Sequence, residues 1–122
     1  MNKDKDTFIV KKQHISNYPT PIQLRKGQSI IVGEKYKGDK HWDGWIYCYT
    51  LGKKHEGWVP EQIIRKKGKN SGIVLDDYTA KELNVEIGDY LLKQKELNGW
   101  YWVKDLETSE EGWIPKENVV RL

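Results

Sequence analysis

Along most of this chain apolar and polar residues alternate in short runs with a period of two, as in SIIVGE, GWIYCY, GIVLDD and GWYWVK. That period sends successive side chains to opposite faces of an extended strand. Gly, Asn, Asp and Lys clusters bound the runs and supply the turns between them. The same skeleton occurs twice. NYPTPIQLRKGQSIIV followed by GWIYCYTLGKKHEGWVPEQIIR is matched by DDYTAKELNVEIGDYLLK followed by GWYWVKDLETSEEGWIPKENVVR. Gly44 to Gly57 and Gly99 to Gly112 are both 13 positions, which aligns Trp45 with Trp100, Trp58 with Trp113 and Pro60 with Pro115. The strongest helical candidate is TAKELNVEIGD, but its counterpart PTPIQLRKGQ carries two prolines, which a helix interior rejects. Both stretches are therefore read as extended.

Each copy supplies about five short strands, and a small closed or nearly closed antiparallel barrel is the economical way to hide their edges. The pattern predicts an all-β chain of two small five-stranded antiparallel barrels in tandem. Residues 1–66 form the first domain with a short N-terminal extension, 67–72 a linker rich in Gly, Lys and Ser, and 73–122 the second domain. Gly27 to Gly44 spans 17 positions against 11 from Gly88 to Gly99, so the first copy has the longer loop there.

Composition narrows the functions. The 122 residues hold six Trp and seven Tyr against one Phe, a choice that favours strands and binding surfaces, where an apolar body with a polar tip is useful. No run is long and apolar enough for a membrane span or signal peptide, which implies a cytoplasmic protein without a membrane partner. The single Cys48 forbids an internal disulfide framework, and with His14, His41 and His55 it shows no zinc-ligand spacing, so neither metal nor cofactor is expected. Cys48 falls on the inward face of its strand, which suits a structural thiol rather than a nucleophile. With the carboxylates scattered through turns, no enzyme is expected. Residues 1–70 carry a balance of +8 and residues 71–122 one of −5.

The second copy resembles the SH3 family. VLDDYTA stands where that family has ALYDYEA, ELNVEIGD resembles ELSFKKGD, GWYWV its tryptophan-pair strand, and GWIPKENVV its GYIPSNYV. The first copy is a weaker version through Tyr18, LRKGQ, GWIYC and GWVPEQII, and the whole is similar to bacterial proteins built from tandem variant SH3 domains. The resemblance implies SH3-like barrels and a shallow aromatic groove for extended, often proline-rich, protein segments. In the second copy Tyr78, Trp100 and Pro115 match the groove positions, with Asp76 and Asn118 replacing its other tyrosines; in the first copy Tyr18, Trp45 and Pro60 match and Ile63 replaces the last tyrosine. Asp76, Asp77, Glu82 and Glu96 are the acids available to a basic ligand side chain.

Period two also sets Trp45, Tyr47 and Tyr49 on one strand face against Ile46 and Cys48 on the other, and Trp100 and Trp102 against Tyr101 and Val103. If Cys48 and Val103 face the core, the aromatic stripe is either a ligand face or a contact between the two copies. Two other readings stand beside peptide binding. The GW pattern also suits bacterial cell-wall SH3 modules that take glycopeptide. Lys35, Lys37 and Lys40 beside Trp42, with Lys53, Lys54 and His55 in the next turn, suit a polyanion such as RNA, although the acidic second copy opposes a long nucleic acid.

Overall fold

The alternating runs form strands, turned by residues that tolerate left-handed backbone. The computed structural model describes residues 6–16, 20–38 and 43–122. In chain order the strands are β1 (Thr7–Val10), β2 (Gln23–Leu24), β3 (Ser29–Lys35), β4 (Trp45–Tyr49), β5 (Glu56–Pro60), β6 (Ile64–Lys66), β7 (Ser71–Val74), β8 (Tyr78–Thr79), β9 (Tyr90–Leu97), β10 (Trp100–Asp105), β11 (Glu111–Pro115) and β12 (Val119–Arg121). Short 3₁₀ turns at Glu61–Ile63 and Lys116–Asn118 follow the two GWxP segments, because proline has no N–H to continue the ladder. All strand pairs of the two large sheets are antiparallel, and among the described residues no helix is long and apolar enough to cross a membrane.

The chain forms two compact units. Unit 1 comprises Met1–Pro19 with Lys81–Leu122, and unit 2 is Thr20–Ala80. This differs from the division at 66 and 73 that the repeat predicts. In unit 1 the sheet order is β11-β10-β9-β1-β12, so the first strand of the chain lies between strands of the second copy. In unit 2 the order is β5-β4-β3-β7-β6, so the first strand of the second copy lies between strands of the first. Ser71 and Gly72, read from composition as linker, are thus part of a central strand. The exchange continues past the strands. In unit 1 His14 bridges Val85, with backbone bonds of 3.1 and 2.9 Å in the two directions, and in unit 2 Leu24 pairs with Tyr78. Among the described residues, each copy therefore lends the other its first strand and the bridge that follows it.

Each strand order is open, with β11 and β12, or β5 and β6, at opposite ends, where the pattern predicts closed or nearly closed barrels. The end strands β6 and β12 are only three residues long and each begins directly after a 3₁₀ turn, which leaves few backbone groups to pair with the opposite edge.

Unit 1 packs Phe8 and Val10 of the exchanged strand with Leu83, Leu91, Val103 and Ile114. Its β9–β10 hairpin turns on Asn98 and Gly99, both at positive φ (47° and 90°), the two-residue turn whose twist matches the flanking strands. Unit 2 buries Ile22, Ile30, Val32, Ile46, Val59 and Val74. Gly112 of the second GW pair is required by close packing: a Cβ there would sit 2.8 Å from the Leu83 nitrogen, so a glycine lets the Glu82–Leu83 backbone lie on β11.

Candidate functional site

Trp45 and Trp100 begin β4 and β10, each directly after a glycine at positive φ, and each is paired across the ladder with a proline, Pro60 or Pro115. The strands are irregular at the same place in both copies. The pairing of β10 with β9 shifts between Trp102 and Val103, and that of β3 with β4 shifts between Val32 and Lys35, opposite Tyr47. The bulge bends the strand just past the aromatic pair. Cys48 and Val103 are fully buried, as the period-two reading requires, and Ile46 is buried beside Cys48.

The exchange re-sorts the groove residues. Tyr78 does not share a unit with Trp100 and Pro115; it lies in unit 2 with Trp45, Pro60 and Ile63, where its hydroxyl donates to the Trp58 carbonyl at 3.2 Å. Trp100, Trp102, Pro115 and Asn118 lie in unit 1. Tyr18 falls outside the described residues, as do Lys40 and Trp42. The repeat aligns Tyr18 with Tyr78, whereas in strand register His14 opposite Val85 corresponds to Tyr78 opposite Leu24, so His14 and Tyr78 hold equivalent places in the two units. Its imidazole sits edge-on to Trp100 with ring centroids 5.6 Å apart, and its Nε2 hydrogen-bonds the Glu82 carboxylate at 2.7 Å. Sequence reasoning missed this group because its members come from different copies.

The two constellations differ in what they leave open. In unit 2 Trp45 is only 7% exposed, Tyr78 8%, and Ile63 and Pro60 are buried too. In unit 1 Pro115 is buried, but Trp100 and Trp102 are only half-buried, as are His14 and Glu82 beside Trp100. Asn118 is buried, and its side-chain amide donates to the Gln13 carbonyl at 3.2 Å while its backbone carbonyl accepts from the Lys11 and Lys12 amides. Asn118 thus anchors the exchanged arm beneath the surface.

The aromatic stripe of β4 packs laterally within unit 2. Tyr47 meets Tyr49 and Trp58 edge-on at 5.3 and 4.9 Å, Tyr36 meets Trp58 at 5.5 Å, and the Lys53 ammonium lies 5.3 Å from the Tyr49 ring centre. Such pairs contribute about 0.5–1.5 kcal/mol each beyond the area they bury. Tyr47 also donates to Glu56 at 2.7 Å. In unit 1 Trp102 meets Trp113 edge-on at 5.4 Å, and its indole N–H donates to Glu111 at 3.0 Å.

The acids divide between the units. Asp76 and Asp77 belong to unit 2, where Asp77 accepts the Lys26 amide, while Glu82 bonds His14 and Glu96 pairs with Lys116 in unit 1. The charge polarity is also reduced. Unit 1 has ten Lys and Arg against eleven Asp and Glu, a balance of −1, and unit 2 has eleven against seven, a balance of +4. Burial pushes the Cys48 thiol up to about 12, against a smaller opposing pull from Lys66, so it is not a thiolate near neutrality.

No curated protein and no solved structure gives a match to the chain. The similarity that does emerge follows the order of the sequence rather than the exchanged pairing of the strands: residues 7–66, from β1 of unit 1 through β2–β6 of unit 2, match the family described as Variant SH3 domain.

Proposed function

We propose that the chain is a noncatalytic module that binds an extended protein segment on the Trp100 surface of unit 1. The observation that carries this reading is the contrast between the two groove tryptophans: Trp45 is buried, whereas Trp100 is only half-buried, with the half-buried His14 against its ring and Glu82 bonded to His14. A flat indole next to a polar pair suits a segment that presents an apolar or proline ring together with a hydrogen-bonding group. The SH3-type match over residues 7–66 supports a binding role rather than a particular ligand. The test follows the indole N–H signals of the labelled protein by NMR while proline-containing peptides are added. Shifts centred on Trp100, abolished by Trp100→Ala with the remaining spectrum retained, are the expected result. A saturating peptide that shifts other indoles and leaves Trp100 unmoved removes this surface from the account.

A second reading draws on the +4 balance of unit 2, with Lys53 over Tyr49 and Lys54 exposed beside it. It assigns that unit a polyanion. Binding of single-stranded RNA that weakens steeply with salt and is reduced by Lys53→Gln supports it, and binding insensitive to salt rejects it.

A further inference from the structure

The two exchanged strands sit in equivalent slots. Phe8 pairs with Leu91 on one side and Arg121 on the other; Gly72 pairs with Ile30 and Lys66. One step along, Ile9 lies between Tyr90 and Val120, and Ile73 between Ser29 and Arg65. The strands thus superpose residue for residue, Phe8 on Gly72, Ile9 on Ile73 and Val10 on Val74. Backbone pairing cannot tell them apart, since either strand would make the same ladder bonds in either slot. What differs is side-chain volume at the first of these positions.

In unit 1 that position holds a full aromatic ring. Phe8 is 4% exposed, lies 5.2 Å from the Tyr101 ring, and is flanked by the Lys93 ammonium and the Arg121 guanidinium at 5.9 and 4.9 Å from its centre. In unit 2 even a Cβ does not fit comfortably. One built on Gly72 would lie 3.0 Å from the Arg65 carbonyl oxygen, 3.0 Å from Ile64 Cγ2 and 3.2 Å from Val32 Cγ2. Returning each arm to its own copy would press a phenyl ring against that carbonyl and leave an empty ring-sized space in unit 1. Both changes are costly in a packed interior. The arms agree further on. His14 finds Glu82 in unit 1, while the position in unit 2 equivalent to Glu82 is Pro21, which has no side-chain acceptor.

We infer that Phe8 and Gly72 are the selector pair that directs each copy's first strand into the other copy's sheet. The repeat supplies two slots with the same backbone bonds, and this large-and-small difference directs the choice between them, with His14 and Glu82 agreeing further along the arm.

The test uses the full chain and three variants, Phe8→Gly, Gly72→Phe and the double exchange, each refolded from denaturant. Cross-strand proton contacts in NMR report the pairing. In the unaltered protein Ile9 should contact Val120, and Ile73 should contact Arg65. Each single variant should lower the midpoint of denaturation, Phe8→Gly through unit 1 and Gly72→Phe through unit 2. The double variant should recover at least half of the combined loss and move the Ile9 contact from Val120 to Arg65, because each strand then suits its own copy. Thr7→Ser with Ser71→Thr, which alters no volume of this size, should leave the pairing and midpoint unchanged. A double variant no more stable than the weaker single variant, one that fails to fold, or one that keeps the Ile9–Val120 contact overturns the selector role.

Discussion

The side-chain amide of Asn118 donates to the carbonyl oxygen of Gln13 across a sequence separation of 105 residues, which fastens the first arm of the chain to the last 3₁₀ turn. Truncating Asn118 would remove this donor together with the packing of a buried side chain. Asn118→Ala should cost about 1–3 kcal/mol, read from denaturant midpoints at constant slope. Hydrogen exchange should quicken most at the Lys11 and Lys12 amides, whose bonds to the Asn118 backbone carbonyl survive the substitution but which lose the side-chain bond that steadies the arm beside them. Exchange that rises instead throughout unit 2 would show that the bond does not act through the arm.

Removing residues 1–16 should unfold unit 1 even though the whole second copy remains in the chain. The deletion takes β1 from between β9 and β12 and removes Phe8 and Val10 from the core. Amide spectra should lose the dispersed signals of residues 81–122 while those of 20–80 persist. If residues 81–122 stay folded, the second copy does not need the exchanged strand.

The two groove tryptophans should respond differently to truncation. Trp45→Ala removes a buried indole and should cost roughly 3–5 kcal/mol. Trp100→Ala removes a half-buried one and should cost about 1–2 kcal/mol, an amount consistent with a surface able to serve a ligand. Equal losses in chemical denaturation would mean that Trp100 is as much a packing residue as Trp45.

Gly112→Ala should destabilise unit 1 by about 1–3 kcal/mol, since the added carbon would lie 2.8 Å from the Leu83 nitrogen and both strands would have to part. Gly52→Ala is a useful contrast: its turn has a positive φ of 83° but no heavy atom within 4 Å of the added carbon, so only backbone conformation opposes it, at about 1 kcal/mol. Thermal melts of the two variants separate crowding from conformation.

Cys48 should be unreactive toward disulfide reagents in the folded protein at pH 8 and react at the ordinary rate once denatured, because burial raises its folded-state value to about 12. The sign follows from linkage. The unfolded thiol ionises near 9.0, so the neutral-thiol contribution is intact below that pH and is lost as pH rises toward about 12. Cys48→Ala should flatten that part of the alkaline stability profile, and an unchanged profile would assign the alkaline loss to other groups.

Much of the site's local geometry was legible before any coordinates. The repeat aligned Trp45 with Trp100 and Pro60 with Pro115, and each pair does face its proline across a ladder. Alternation placed Ile46, Cys48 and Val103 inward, where they are buried. His14 carried no local signal of its place beside Trp100 and Glu82, because its neighbours lie in the other copy. The repeat likewise grouped Tyr78 with Trp100, whereas Tyr78 lies in unit 2 and bonds the Trp58 carbonyl.

The sequence alone located most of the strands, their inward faces and their turns, since each depends on side chains within a few residues of one another, but it read β1 as part of an extension and the start of β7 as linker. Only the tertiary structure decided which strand completes which sheet. Two copies of one pattern offer two slots with the same backbone bonds, so local alternation is satisfied by either pairing. The choice rests on volumes that meet only after folding: the ring of Phe8 beside Tyr101, and the narrow place at Gly72 between the Arg65 carbonyl and the methyl groups of Ile64 and Val32.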